Sequence, residues 1–166
     1  MAPAPQNPKL PINSTVAMSL AQDATAAVQA RRVVRDTLLG WQLPALVDPC
    51  VLVVSELVTN AVRHGRPPFG LSVRRRFGNV RIDVNDARPE PVTDLGGSQP
   101  DNLAESGRGL CLVRDAADNV GCERVRGDGK NVYASWNVRE LSTRAATGAA
   151  GHSGREARLG SAPDPT

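Results

Sequence analysis

At 166 residues the chain has room for one domain with a substantial core and not for two comfortable ones. Its formal net charge of +3 is mild, and aromatic residues at 3% are too scarce for a base-stacking surface beside the one dense basic run, Arg74-Arg75-Arg76, so direct nucleic-acid binding is not expected. No apolar run approaches the roughly 20 residues that span a bilayer, and the Pro-rich N-terminus has no signal-peptide core, so a cytoplasmic protein with no membrane partner is expected.

Residues 1–11 are rich in proline, and residues 141–166 in Gly, Ala, Ser, Thr and Arg. Both read as disordered arms around a single domain at 12–140. Cys50, Cys111 and Cys122 are odd in number and lack metal-ligand spacing, so they read as free thiols. Lysine occurs only as Lys9 and Lys130, against eighteen arginines, a bias expected of a genome rich in G and C. It makes Lys130 conspicuous.

In chain order, residues 14–20 alternate like a strand. Asp23 is placed to cap a helix that runs through Val28, Val33, Val34 and Leu38 to Gly40. Leu43-Pro44 leads into a longer helix ending near Gly65, and Pro67-Pro68 forbids its continuation. Residues 70–76 and 79–85 read as strands joined by Phe77-Gly78-Asn79. Alternation sets Arg74 and Arg76 on one face and Arg75 on the other with Leu71 and Val73, and the triple arginine is expected on a solvated sheet edge.

From 87 to 106 hydrophobic periodicity is lost, which inside a compact domain marks a functional or disordered loop. Gly107-Arg108-Gly109 then opens a short helix at 110–117. Strands at 120–125 and 131–138, linked by Gly127-Asp128-Gly129, close the domain. This order predicts an α+β fold, a two-layer sandwich with helices on one face of a largely antiparallel mixed sheet.

Three features carry chemistry. Glu56, Asn60 and His64, spaced by four, form one slowly drifting row along the second helix, at the margin of the apolar face built by Val51, Val54, Leu57, Val58, Ala61 and Val62. A carboxylate there can act as a base or orient water, and an amide oxygen is a hard ligand suited to magnesium. Asp86 ends a strand just before the long loop, where it can accept from an exocyclic amine. Gly107-Arg108-Gly109-Leu110 is a glycine turn at a helix start, where backbone N–H groups and the helix dipole favour phosphate.

In this order the three motifs resemble the ATPase fold shared by gyrase, Hsp90, histidine kinases and MutL (the Bergerat fold). Within it the chain is most similar to the small anti-sigma-factor serine kinases of the RsbW and SpoIIAB type, over about residues 14–138. Glu56-Leu-Val-Thr-Asn60-Ala-Val-Arg-His64-Gly65 matches the N box, Val84-Asn85-Asp86 the start of the first glycine box, and Glu105 to Val113 the second. Gly129-Lys130 before a strand resembles the C-terminal hairpin.

The resemblance implies that ATP and Mg²⁺ are the cofactors. Asn60 would ligate the magnesium, Glu56 would be the base or orient water, and Asp86 would read adenine. Gly107, Arg108, Gly109 and Leu110 would wrap the phosphates under a lid formed by the loop. His64 would lie beside the nucleotide and Lys130 near the phosphates. One departure is that Ala87-Arg88-Pro89-Glu90-Pro91 replaces the glycines usual after the aspartate.

The function so implied is a serine/threonine kinase that phosphorylates a STAS-type anti-sigma antagonist and sequesters a sigma factor; a homodimer is compatible with it. No dimerisation-and-phosphoacceptor helix pair precedes the domain, which argues against a self-contained histidine kinase. Two alternatives stand beside it. One is a catalytically weak binding module whose partner affinity is tuned by nucleotide, against which the retained Glu56 counts. The other is an ATPase module acting in trans for two-component signalling.

Overall fold

The computed structural model describes residues 13–88, 105–125 and 129–138. The expected terminal arms, most of the 87–106 loop and the Gly127-Asp128 turn lie outside these residues. The elements are β1 (Asn13–Leu20), α1 (Thr25–Gly40), a single 3₁₀ turn (Pro44–Leu46), α2 (Val47–His64), β2 (Phe69–Arg76), β3 (Asn79–Asp86), α3 (Glu105–Ala116), β4 (Asn119–Val125) and β5 (Gly129–Asn137). The five strands form one sheet in the order β1-β2-β3-β5-β4. All of its pairings are antiparallel, so the sheet is not mixed as expected.

Helix α1 buries Ala26, Ala30, Val34 and Leu38, a strict i, i+4 stripe that faces α2. Its first turn is satisfied from one residue further out than the helix boundary: the Asp23 carboxylate accepts from the Thr25 backbone N–H at 2.8 Å and from the Thr25 hydroxyl at 2.5 Å. At the other end the helix stops at Gly40, yet the left-handed residue is Gln42, with φ 57°. Gln42 N–H donates to the Leu39 carbonyl and Leu43 N–H to the Leu38 carbonyl. This 5→2 and 6→1 pair turns the chain towards α2.

Helix α2 is the central element. Val53, Val54, Leu57 and Val58 are wholly or almost wholly buried, and α2 meets α1, α3 and β3. With the 3₁₀ turn before it, the stretch Pro44–His64 is long and apolar enough to cross a membrane by length and composition. That corrects the expectation from the sequence that no such run exists, although Val47, Cys50, Val53, Val54, Leu57, Val58 and Ala61 of it are buried in the domain core. Across the core the sheet contributes Leu71, Val73, Val80, Ile82, Val84, Val132, Ala134 and Trp136.

The triple arginine does not decorate an edge. β2 lies between β1 and β3, and a strand so placed has neighbours on both sides. Arg75 shares the helix-side face with Leu71 and Val73 and donates to the Trp41 carbonyl at 3.2 Å. Arg74, on the opposite face, grips the buried Asp83 carboxylate through Nε at 3.0 Å and Nη2 at 2.7 Å. Asp83 also takes Arg81 Nε at 2.8 Å and Asn131 Nδ2 at 2.7 Å. Arg81 reaches on to Glu123 at 2.8 Å and stacks over Tyr133, 3.7 Å from the ring centroid. The outer face of the sheet is thus tied by a charged network centred on Asp83.

Candidate nucleotide site

The drift of the Glu56/Asn60/His64 row is visible in burial: Glu56 and Asn60 are half-buried, and His64, in the last turn of α2, is exposed. The row runs along the border of the core face, as 100° per residue requires. At its end the His64 backbone carbonyl accepts from Arg88 Nη1 at 2.6 Å, tying the chain beyond β3 to the end of α2. Arg88 carried no functional signal in the sequence beyond its place in the departure after Asp86.

Helix α3 begins two residues before the Gly107-Arg108-Gly109 turn, at Glu105, so the glycines lie inside its first turns. The sequence had placed them before the helix. The N–H groups free for an anion at an α-helix start are those of its first four residues, here 105–108. Gly109, the fifth, is free for another task. A Cβ at Gly109 would collide with the Oε2 oxygen of Glu56 and lie 3.2 Å from its carboxyl carbon. The absence of a side chain there lets α3 lie directly on the Glu56 carboxylate.

Asp86 ends β3 on the helix-side face and is buried. Register pairs it with Lys130, the second residue of β5. The Lys130 ammonium lies 3.3 Å from one carboxylate oxygen and 3.2 Å from the other. The Arg88 backbone N–H donates to the first at 2.8 Å. Two glycines crowd the same point. A Cβ at Gly65 would come 2.8 Å from the Asp86 carboxyl carbon, and one at Gly129 would come 2.7 Å from the Asp86 carbonyl oxygen. The chain thus meets at Asp86 from the end of α2, the end of β3 and the start of β5.

The structure therefore brings Glu56 together with Gly109, and Asp86 together with Lys130. Lys130 lies against Asp86, the residue to which the resemblance gives the nucleobase. The signal that could have found it is the pairing of β3 with β5, since an acid and a base directly opposite on a buried face must neutralise each other.

The donor set suits a nucleotide with a divalent cation. Asn60 offers a hard amide oxygen on the same helix row as Glu56, and Asp86 offers a buried acceptor for an amine. Among the described residues no cluster of three or more His, Cys, Asp or Glu side chains could hold a metal without further ligands.

An antiparallel five-stranded sheet carrying three helices on one face, with an acid–amide row on the central helix and a buried aspartate at a strand end, defines a nucleotide-binding α+β domain. The sequence profile of the histidine kinase-like ATPase domain matches residues 20–136, and the chain belongs to that family. Among solved structures, the RsbU and RsbW domains of Rv1364c from Mycobacterium tuberculosis share the fold, with a TM-score of 0.55 and 18% sequence identity. The match covers 75% of this chain and 32% of that one, so this chain spans about a third of its length. No curated protein sequence matches the chain significantly.

Proposed function

We propose that this protein is an ATP- and magnesium-dependent serine/threonine kinase that phosphorylates a STAS-type antagonist and sequesters a sigma factor. The observation that carries the reading is the pairing on α2 of Glu56 with Asn60, one turn apart and both at the border of the core. That spacing supports the reading, since a basic oxygen and a magnesium ligand one turn apart would both reach one phosphate chain. The resemblance to the RsbW type of kinase supports the nature of the substrate.

In this reading Asp86 holds the base of the nucleotide, the start of α3 faces its phosphates, and Asn60 holds the magnesium. Magnesium, when bound there, would supply positive charge against the phosphoryl oxygens. Glu56 takes the proton from the acceptor hydroxyl as the new P–O bond forms. ADP leaves with the electron pair of the broken bond.

The contact between Gly109 and Glu56 favours a second reading. A carboxylate covered by the backbone of α3 does not face an acceptor, and a protein that stayed in that arrangement would bind nucleotide only to tune its affinity for a partner. Incubating the purified protein with γ-labelled ATP and STAS-type proteins encoded near it separates the two. Label on a serine or threonine of the antagonist supports the kinase. ATP binding with no transfer to any candidate supports the nucleotide-tuned module.

A further inference from the structure

Lys130 and Asp86 are both buried, at 7% and 5% exposure, and directly opposite each other on neighbouring strands. An ammonium has three donor hydrogens, and among the described residues Asp86 is its only partner. The pair therefore presents a carboxylate that accepts beside an ammonium with donor capacity to spare. Stability alone does not call for such a pair, because apolar residues of similar volume serve a core as well or better.

The choice of lysine is a second clue. This chain uses arginine eighteen times and lysine twice. A cation whose task is merely to be solvated, or to grip a carboxylate in two places, would be arginine here, as at Arg74 and Arg81. A lysine kept at a buried position supplies a compact, rotatable donor that a planar guanidinium cannot replace. Gly65, meanwhile, keeps side-chain atoms away from the Asp86 oxygen, 3.0 Å from where its Cβ would stand.

We propose that Lys130 reads the nucleobase together with Asp86. The carboxylate accepts from the exocyclic amine of adenine, and the ammonium donates to a ring nitrogen flanking that amine. The inference rests on the reading of this site as one for an adenine nucleotide. It makes Lys130 a specificity-determining residue where the nitrogen it meets is N1, since guanine carries a hydrogen there that faces the ammonium donor.

Calorimetry on the full chain with ATP, 1-deaza-ATP, 7-deaza-ATP and GTP tests it. Losing a hydrogen bond to a charged group is worth about tenfold or more in affinity. The parent protein should therefore bind one of the two deaza analogues about tenfold or more weakly than ATP. In Lys130→Met that ratio should fall to about one, because the donor that the ring nitrogen met is gone. Where 1-deaza-ATP is the weaker analogue, GTP should gain relative to ATP in the same variant, because guanine N1 carries a hydrogen that the ammonium disfavours.

Lys130→Arg keeps the charge beside Asp86 and serves if the methionine variant does not fold; its ratio should also move towards one. Equal affinity of the parent for ATP and both analogues overturns the proposal and leaves the nucleotide site standing. So does a ratio that neither substitution alters, which would leave Lys130 as a brace for Asp86. A parent that binds no ATP at all overturns the nucleotide site itself.

Discussion

The backbone of Gly109 rests on the carboxylate of Glu56, so that the fifth residue of α3 and the acid of the α2 row share a space with no room for a methyl group. Helix propensity alone predicts that Gly109→Ala stabilises the protein by about 1 kcal/mol. The obstacle to the new methyl is the far end of a flexible side chain, which can swing aside. On the kinase reading we expect a variant at least as stable as the parent by thermal melting and markedly slower in phosphoryl transfer, because the displaced group is the proposed base. A variant that melts far earlier would show that the contact is held rigidly.

Glu56→Gln should keep ATP binding and lose transfer to the antagonist. The substitution preserves size and removes the basic oxygen, and a positioned general base is worth ~10²–10⁴-fold in rate. Transfer at the parental rate would make Glu56 structural.

For Asn60→Ala the expected outcome is the loss of most magnesium-dependent nucleotide binding, with binding in the presence of a chelator little changed. The amide oxygen is the ligand on this row best suited to magnesium. Calorimetry with and without the metal reads the difference, and an unaltered metal dependence would place the ion elsewhere.

Asp86→Asn leaves a buried ammonium without its counter-charge. Breaking one side of a buried pair is costly, and we expect a loss of about 3 kcal/mol in denaturant unfolding. The variant should also discriminate less well between ATP and GTP, because a carboxamide can present its NH₂ where only an acceptor serves. Adding Lys130→Met to Asp86→Asn should restore much of the stability and none of the discrimination. Recovery of both would mean that another residue reads the base.

Burial pushes the Cys50 thiol far above its ordinary range, whereas Cys111 is exposed on α3. Alkylation under native conditions should modify Cys111 readily and leave Cys50 protected until the domain opens. Mass spectrometry of the digested protein resolves the two. Comparable rates at both sites would mean that α2 is not the core helix.

Much of this site was legible from local pattern. A row at four-residue spacing along α2 is dictated by helical geometry once the apolar period has identified the helix, and Glu56, Asn60 and His64 needed nothing further to be set along one line. Strand alternation likewise placed Arg75 on the face of Leu71 and Val73, and the Phe77-Gly78 turn is a two-residue hairpin with both residues at positive φ, at 50° and 84°. These are properties of neighbours in the chain, and neighbours are what a sequence lists.

What local pattern could not decide is who stands opposite whom. β5 lies between β3 and β4, so the partner of Asp86 is separated from it along the chain by α3 and β4. The register that brings Lys130 to Asp86 is fixed by matching Ile82 with Ala134 and Val80 with Trp136 on the buried face, because a slip of one residue would turn every one of those side chains to solvent. In the same way Gly109 meets Glu56 only because α3 packs on α2, and β2 is an inner strand only because β1 returns to cover it. Residue types and periods set which groups were available, and burial of the common core selected which of them touch.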